Sequence, residues 1–163
     1  MQKTAFLFPG QGSQTPGMGK IFLDTPYFQI ANNAGEILGL DVNELLCSDN
    51  SEILSSTHNA QLAILITSLM AYKAIDKNEY EALCFAGHSL GQVSALICSE
   101  TISLEDGLKF ASARALETQK CADTKGGKMA ALLGIEFEQA LKLCESFEQV
   151  YLANDNAPGQ IVI

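Results

Sequence analysis

The segment Gly87-His88-Ser89-Leu90-Gly91 has the G-x-S-x-G pattern of a nucleophile elbow, in which a serine hydroxyl attacks an acyl carbon. It follows the apolar run Ala82–Ala86, which predicts a buried strand, and precedes a predicted helix from Leu90 to about Ser99. The glycines permit a tight turn, and the N-terminus of the helix favours negative charge developing beside the serine. The pattern therefore predicts Ser89 as a nucleophile, and the alternative is a purely structural turn between strand and helix.

A second glycine-rich loop follows the first predicted strand. The apolar run Thr4–Phe8 ends at Pro9-Gly10, and the loop extends from Gly10 to Gly19. Such a loop serves either as a phosphate cradle or as an oxyanion loop. Its spacing matches neither a P-loop nor a dinucleotide-binding turn. An oxyanion loop fits better, because an elbow serine needs a second backbone N–H from another strand–helix loop.

Arg114 is the only arginine of the chain. A guanidinium holds a planar carboxylate in two parallel hydrogen bonds, so one interpretation is a carboxylate-binding residue, and the other is a solvated helix charge. An elbow serine also needs a histidine base. His88 is expected to point away from Ser89 on so sharp a turn, and His58 begins a helix, so both are predicted to be structural.

Composition excludes several classes of protein. The chain has 163 residues with a net charge of −9, which argues against binding nucleic acid. Its 47% hydrophobic residues support a sizeable core. The longest apolar stretch, Leu62–Ala71, is too short for a membrane span, and the N-terminus lacks a signal-peptide core, so we expect a cytoplasmic location. The five cysteines show no metal-ligand spacing, so neither a disulfide framework nor a metal site is predicted.

The remaining pattern predicts an α/β fold with a parallel sheet. Beyond the elements above, we expect a helix at Tyr27–Leu38, a long helix that is capped within Ser55-Ser56-Thr57 and runs to about Ile75, and helices at Ser103 to about Cys121 and Phe137–Phe147. Strands are expected at Lys128–Gly134, at Gln149–Asn154 and from Gln160. A polar hinge at Asp123–Gly127 divides the chain into residues 1–125 and 126–163. Because the sequence stops inside an apolar strand, we expect the chain to be a truncated piece.

Several motifs together resemble the malonyl-CoA:acyl-carrier-protein transacylase family, which includes the acyltransferase domains of fatty-acid and polyketide synthases. They are FPGQGSQ with the following GMG, GHSLG with Ser94-Ala95-Leu96, Gln61 after Thr57, the Ala111–Gln119 helix that holds Arg114, Lys128-Met129-Ala130-Ala131, and Asn154 to Val162. The resemblance covers the whole chain and corresponds to the N-terminal half of the family's enzyme.

This resemblance implies an incomplete hydrolase-like core at residues 1–125 and the start of an inserted ferredoxin-like subdomain at 126–163. It implies that a malonyl group passes from CoA to the phosphopantetheine thiol of acyl carrier protein through a serine acyl-enzyme. Ser89 matches the nucleophile, Gln11 and Leu90 match the backbone donors to the oxyanion, and Arg114 matches the residue that pairs with the malonyl carboxylate.

The resemblance also bears on what else the reaction needs. The family's catalytic histidine lies downstream of the residues present, so we expect the chain alone to be inactive. CoA thioester is the substrate, with no permanently bound cofactor and no metal, and the expected partners are malonyl-CoA and acyl carrier protein, with no nucleic acid or membrane. The rival interpretations are a serine hydrolase such as a thioesterase, and a non-catalytic fragment that acts as a folding piece or an interaction module.

Overall fold

Two parallel strands form the frame of the N-terminal part of the chain. A computed structural model describes residues 1–163 except the side chain of Lys125, and the chain divides into one unit at Met1–Asp123 and another at Thr124–Ile163. In the first unit β1 (Gln2–Phe8) pairs with β2 (Tyr80–Gly87), with Gln2 beside Tyr80 at one end and Phe8 beside Gly87 at the other. Parallel strands require a long crossover, and here helices occupy it.

Three α-helices lie within this crossover: α1 (Gln29–Leu38), α2 (Val42–Cys47) and α3 (Thr57–Ala74). α3 lies at the centre of the core: it is apolar on nearly all sides, and Leu62, Ile64 and Leu65 are fully buried. The Ser56 hydroxyl caps α3 by accepting a hydrogen bond from the Asn59 N–H.

The predicted helix at Tyr27–Leu38 is confirmed in its main part. A 3-10 turn at Pro26–Phe28 leads into α1, which ends at Gly39 with φ +67°, the left-handed conformation that glycine adopts readily. The short helix α2 was not predicted from the sequence. Asp41 caps its N-terminus, because the Asp41 carboxylate accepts a hydrogen bond from the Glu44 N–H.

Two helices follow β2. α4 (Gly91–Cys98) begins at the last residue of the elbow. α5 (Leu104–Lys125) is capped by Ser103, whose hydroxyl accepts from the Asp106 N–H at 3.0 Å. α5 was expected to end near Cys121, followed by a hinge. The helix instead continues to Lys125, because no proline or glycine lies between Cys121 and Gly126.

The second unit combines one helix with a small antiparallel sheet. Its elements are β3 (Ala131–Leu133), α6 (Phe137–Glu145), β4 (Asn154–Ala157) and β5 (Gln160–Val162), and the strand order is β3-β5-β4. The predicted strand at Gln149–Asn154 is wrong, because the strand begins only at Asn154. The turn at Pro158-Gly159 pairs Asn154 with Val162, and this hairpin register outweighs the higher strand propensity of the preceding residues.

Parallel and antiparallel strands thus combine with helices, as the predicted α/β class requires. Within the described part of the chain, none of the helices has both the length and the apolar character needed to cross a membrane.

Candidate active site

The glycine-rich loop and the elbow both follow the C-terminal ends of the two parallel strands. β1 ends at Phe8 and β2 ends at Gly87, and these two residues are partners in the register. The loops after the strands therefore emerge side by side. The His88 N–H donates to the Phe8 carbonyl at 3.0 Å, which ties the elbow to the end of β1.

Glycine is required where the two loops approach each other. A Cβ atom on Gly91 would lie 2.2 Å from the Phe8 carbonyl oxygen, and one on Gly10 would lie 2.5 Å from the His88 carbonyl oxygen. Both distances are far below van der Waals contact, and both neighbours are backbone atoms that cannot rotate away. Gly10 and Gly91 are therefore both required for the two loops to pack against each other.

Ser89 occupies the top of the turn. Its φ of +51° lies in the left-handed region, which only Ser89, Glu100 and Gln149 adopt among the described residues other than glycine. A serine in this conformation is the strained arrangement of a nucleophile elbow. The residue is exposed, and α4 starts two residues later, so the N-terminus of that helix lies beside the hydroxyl.

The loop after β1 is held by its own side chains. The Ser13 hydroxyl donates to the Gly10 carbonyl at 2.9 Å, and the Gly12 N–H donates to Gln14 Oε1 at 2.8 Å. In contrast, the backbone N–H groups of Gln11 and Leu90 donate to no other described residue. These are the two groups that the resemblance implies as oxyanion donors; Gln11 is exposed, whereas Leu90 is buried.

Arg114 reaches the serine from α5. One of its terminal nitrogens donates to Ser89 Oγ at 2.7 Å, and the other donates to Gln61 Oε1 at 2.5 Å. A guanidinium carries five N–H donors, so three remain beyond these two bonds. The structure thus brings the only arginine of the chain into direct contact with the proposed nucleophile, although 25 residues separate them in sequence.

Gln61 is the residue of this cluster for which sequence reasoning assigned no role. It lies in α3, it is 1% exposed, and besides accepting from Arg114 it donates from its amide nitrogen to Gln11 Oε1 at 3.3 Å. The signal was a polar residue at the start of the apolar stretch of α3, because a buried amide needs hydrogen-bond partners. Ser89, Arg114, Gln61 and Gln11 therefore form one connected chain of hydrogen bonds.

The two histidines lie in different surroundings. The Nε2 atom of His58 is 3.2 Å from Ser112 Oγ, and its Nδ1 atom is 3.4 Å from Asn59 Oδ1, so its polar contacts are within α3 and α5 and do not involve Ser89. His88 lies on the elbow directly after Gly87, and its ring lies close to Gly10. A Cβ atom on Gly10 would be only 2.8 Å from His88 Nδ1.

The cysteines are not part of the cluster. No group of side chains suited to hold a metal ion is found among the described residues. Burial raises the pKa of the Cys98 thiol from 9.0 to about 12, so this side chain is a neutral, apolar group at ordinary pH.

Two lysines of α5, Lys109 and Lys120, flank Arg114 in the sequence. Lys109 and Lys120 each bond to a glutamate of the same helix, with Nζ–Oε1 distances of 2.5 Å to Glu105 and 2.6 Å to Glu117. These pairs partly neutralise the local excess of positive charge.

Comparison with known proteins identifies the class of protein to which this site belongs. The family model of the acyl transferase domain matches residues 5–163, so the chain belongs to the acyl transferase domain family. Within that family the similarity is to malonyl CoA-acyl carrier protein transacylases. The Bacillus subtilis protein of that name is 37% identical over 169 residues, which cover all of this chain and 53% of the relative. The resemblance predicted from the motifs is confirmed.

Solved structures give the same result. The malonyl-CoA:acyl carrier protein transacylase of Helicobacter pylori matches with a TM-score of 0.88 and 35% identity, over 99% of this chain and 53% of that one. A malonyl-transacylase solved in complex with a type II PKS acyl-carrier protein matches with a TM-score of 0.88 and 29% identity, over 99% of this chain and 54% of that one. The chain spans about half the length of the relatives it matches.

Proposed function

We propose that this chain carries the nucleophile, the oxyanion donors and the carboxylate-binding residue of a malonyl-CoA:acyl-carrier-protein transacylase. The observation that carries the proposal is the contact between Arg114 and Ser89, at 2.7 Å. In a malonyl thioester one methylene separates the carboxylate from the carbonyl that the nucleophile attacks. A cation that serves this substrate must therefore lie close to the nucleophile, and a bidentate guanidinium suits the carboxylate.

The proposed reaction has two acyl transfers. Ser89 Oγ attacks the thioester carbonyl and loses its proton to a general base, while the carbonyl electrons move onto the oxygen. The C–S bond then breaks, and the CoA sulfur leaves and takes up a proton. In the second half the phosphopantetheine thiol of acyl carrier protein loses its proton to the base and attacks the carbonyl of the serine ester. The C–O bond to Ser89 then breaks, and the Ser89 oxygen takes up that proton from the base.

The backbone N–H groups of Gln11 and Leu90 stabilise the oxyanion in both tetrahedral intermediates. Support for this assignment is that both groups lie in the adjoining loops and have no acceptor among the described residues. Donors that are already in place for the developing charge contribute a large part of the rate in acyl transfer. The base is proposed to come from the downstream part of the family's enzyme, because the polar contacts of His58 are to Ser112 and Asn59.

The proposal includes the finer architecture and the partners. Residues 1–125 are assigned to a hydrolase-like core and residues 126–163 to a ferredoxin-like subdomain. CoA enters as substrate, no cofactor is permanently bound, and the acyl acceptor is acyl carrier protein in the cytoplasm. The similarity to a malonyl-transacylase solved with its carrier protein supports the choice of partner.

The test uses the natural polypeptide that carries these residues, with the substitution Ser89→Ala. After incubation with malonyl-CoA, intact-mass measurement should show a malonyl adduct on the unsubstituted protein and none on the variant. Ser112→Ala is the matched control, because it removes the serine that bonds to His58 and should leave the adduct intact.

Two outcomes contradict the proposal. A covalent malonyl adduct on the Ser89→Ala variant would place the nucleophile elsewhere. If the unsubstituted protein releases free malonate and transfers none to acyl carrier protein, the protein is a thioesterase.

A further inference from the structure

We infer that Gln61 is a positioning residue that holds Arg114 in place and so determines the preference for malonyl over uncharged acyl groups, an inference that rests on the proposed function. Three observations on the Gln61 side chain support this inference. It is 1% exposed, its carbonyl oxygen accepts from Arg114 at 2.5 Å, and its amide nitrogen lies 3.3 Å from Gln11 Oε1.

The rigid surroundings of Gln61 are suited to positioning. The helix α3 that carries it is capped by Ser56, and the adjacent residues Ala60 and Leu62 are 1% and 0% exposed. A side chain anchored in a close-packed core has little freedom to follow its partner. Arg114 comes from α5 on a long flexible side chain, so the fixed amide determines where its guanidinium lies.

The choice of an amide over a carboxylate follows from the charge of Arg114. A carboxylate at position 61 would form an ion pair with the guanidinium and compete with the carboxylate of the substrate. A neutral carbonyl oxygen orients the same N–H group and leaves the positive charge unpaired. Gln61 therefore keeps Arg114 both oriented and available for an anionic acyl group.

The second contact of Gln61 joins this residue to the loop after β1. Gln11, whose side chain accepts the bond, is also the residue whose backbone N–H is the proposed oxyanion donor. At 3.3 Å this bond is longer than the bond to Arg114. The main effect of losing Gln61 is thus expected on carboxylate recognition, and only a smaller effect on acyl transfer in general.

The test compares acylation of Ser89 by malonyl-CoA and by acetyl-CoA, measured by intact mass over time on the natural polypeptide. Gln61→Met keeps the volume and removes both hydrogen bonds, while Gln61→Glu keeps the shape and adds the competing charge. Losing a hydrogen bond to a charged group predicts a fall of about ten- to a hundredfold in the ratio of malonyl to acetyl rates for Gln61→Met. Gln61→Glu should lower the ratio at least as much.

Thr67→Val is the matched control. Thr67 lies on the same helix, its hydroxyl oxygen is buried without a partner among the described residues, and valine has the same shape. This variant should keep the ratio of the unsubstituted protein. Thermal unfolding of all three variants checks that each is folded, and if Gln61→Met does not fold, the nearly isosteric Gln61→Glu provides the test.

The outcomes separate the inference from the function on which it rests. An unchanged ratio in folded Gln61 variants, or an equal loss with both substrates, overturns the inference and shows that Gln61 is only structural. If the unsubstituted protein forms no malonyl adduct, the proposed function itself fails, and the inference falls with it.

Discussion

Gly87→Ala tests whether the elbow depends on the close approach of backbone to backbone. An ideal Cβ atom on Gly87 would lie 1.9 Å from the carbonyl carbon of Gly91 and 2.4 Å from the nitrogen of Gln92. These atoms belong to the first turn of α4, so no side-chain rotation relieves the overlap, and either α4 or β2 must shift. Overpacking of this kind costs about 1–3 kcal/mol in ordinary cores, and with backbone on both sides we expect the upper end or more.

The assay for Gly87→Ala is thermal unfolding of the natural polypeptide, followed by far-ultraviolet circular dichroism. A loss of about 3 kcal/mol should lower Tm by more than about 5 °C. Gly39→Ala is the control, because Gly39 has φ +67° with open space around its Cβ position and tests left-handed strain alone, about 1–2 kcal/mol. A Gly87→Ala variant no less stable than Gly39→Ala would refute the packing argument, as would one that still forms the malonyl adduct at the original rate.

Three further predictions concern substrate choice, self-association and pH. Arg114→Ala should weaken malonyl transfer by about 2–3 kcal/mol and acetyl transfer much less, and equal losses in steady-state rates would mark Arg114 as structural. The 163-residue chain expressed alone should self-associate on sizing chromatography and transfer no malonyl group, because the side chains of Leu7 and Leu83 are 76% and 61% exposed; a monodisperse, active monomer would contradict this. Burial raises the pKa of the Cys98 thiol from its ordinary range to about 12, so the folded protein keeps a proton that the unfolded chain loses. The free energy of unfolding should therefore fall as pH rises through that window, by at most about 4 kcal/mol, and urea titrations of Cys98→Ala should show a flatter profile.

Elements that depend on local signals could be predicted from the sequence. β1 and β2 contain apolar runs that are followed closely by glycine, α3 is apolar on nearly all sides, and the Ser103 hydroxyl caps α5 by accepting from the Asp106 N–H. Each of these signals lies within a few residues of the element it specifies. The prediction of a parallel pairing then followed from the order of strands and helices.

Features that depend on distant contacts could not be predicted in the same way. The strand at Asn154–Ala157 has polar residues of low strand propensity, and it forms because the hairpin turn sets its register with β5. Gln61 matched a family pattern, but its hydrogen bond joins it to Arg114, 53 residues away. Ser89, Arg114 and Gln11 could be named as candidates from sequence motifs, whereas the role of Gln61 and the contacts among the four residues became visible only in the folded chain.

The junction between Gly91 and the Phe8 carbonyl has a consequence for the order of folding. The elbow motif is continuous in sequence, yet its turn packs against β1, which lies about eighty residues earlier in the chain. Closing so long a segment is entropically unfavourable. In a nascent chain that has just left the ribosome, Ser89 therefore adopts its nucleophile conformation only once β1 has paired with β2. A synthetic peptide with the sequence of residues 87–91 would therefore lack the reactivity that we propose for Ser89 in the folded protein. Deleting the first eight residues should have the same effect on the serine as deleting a residue of the elbow itself.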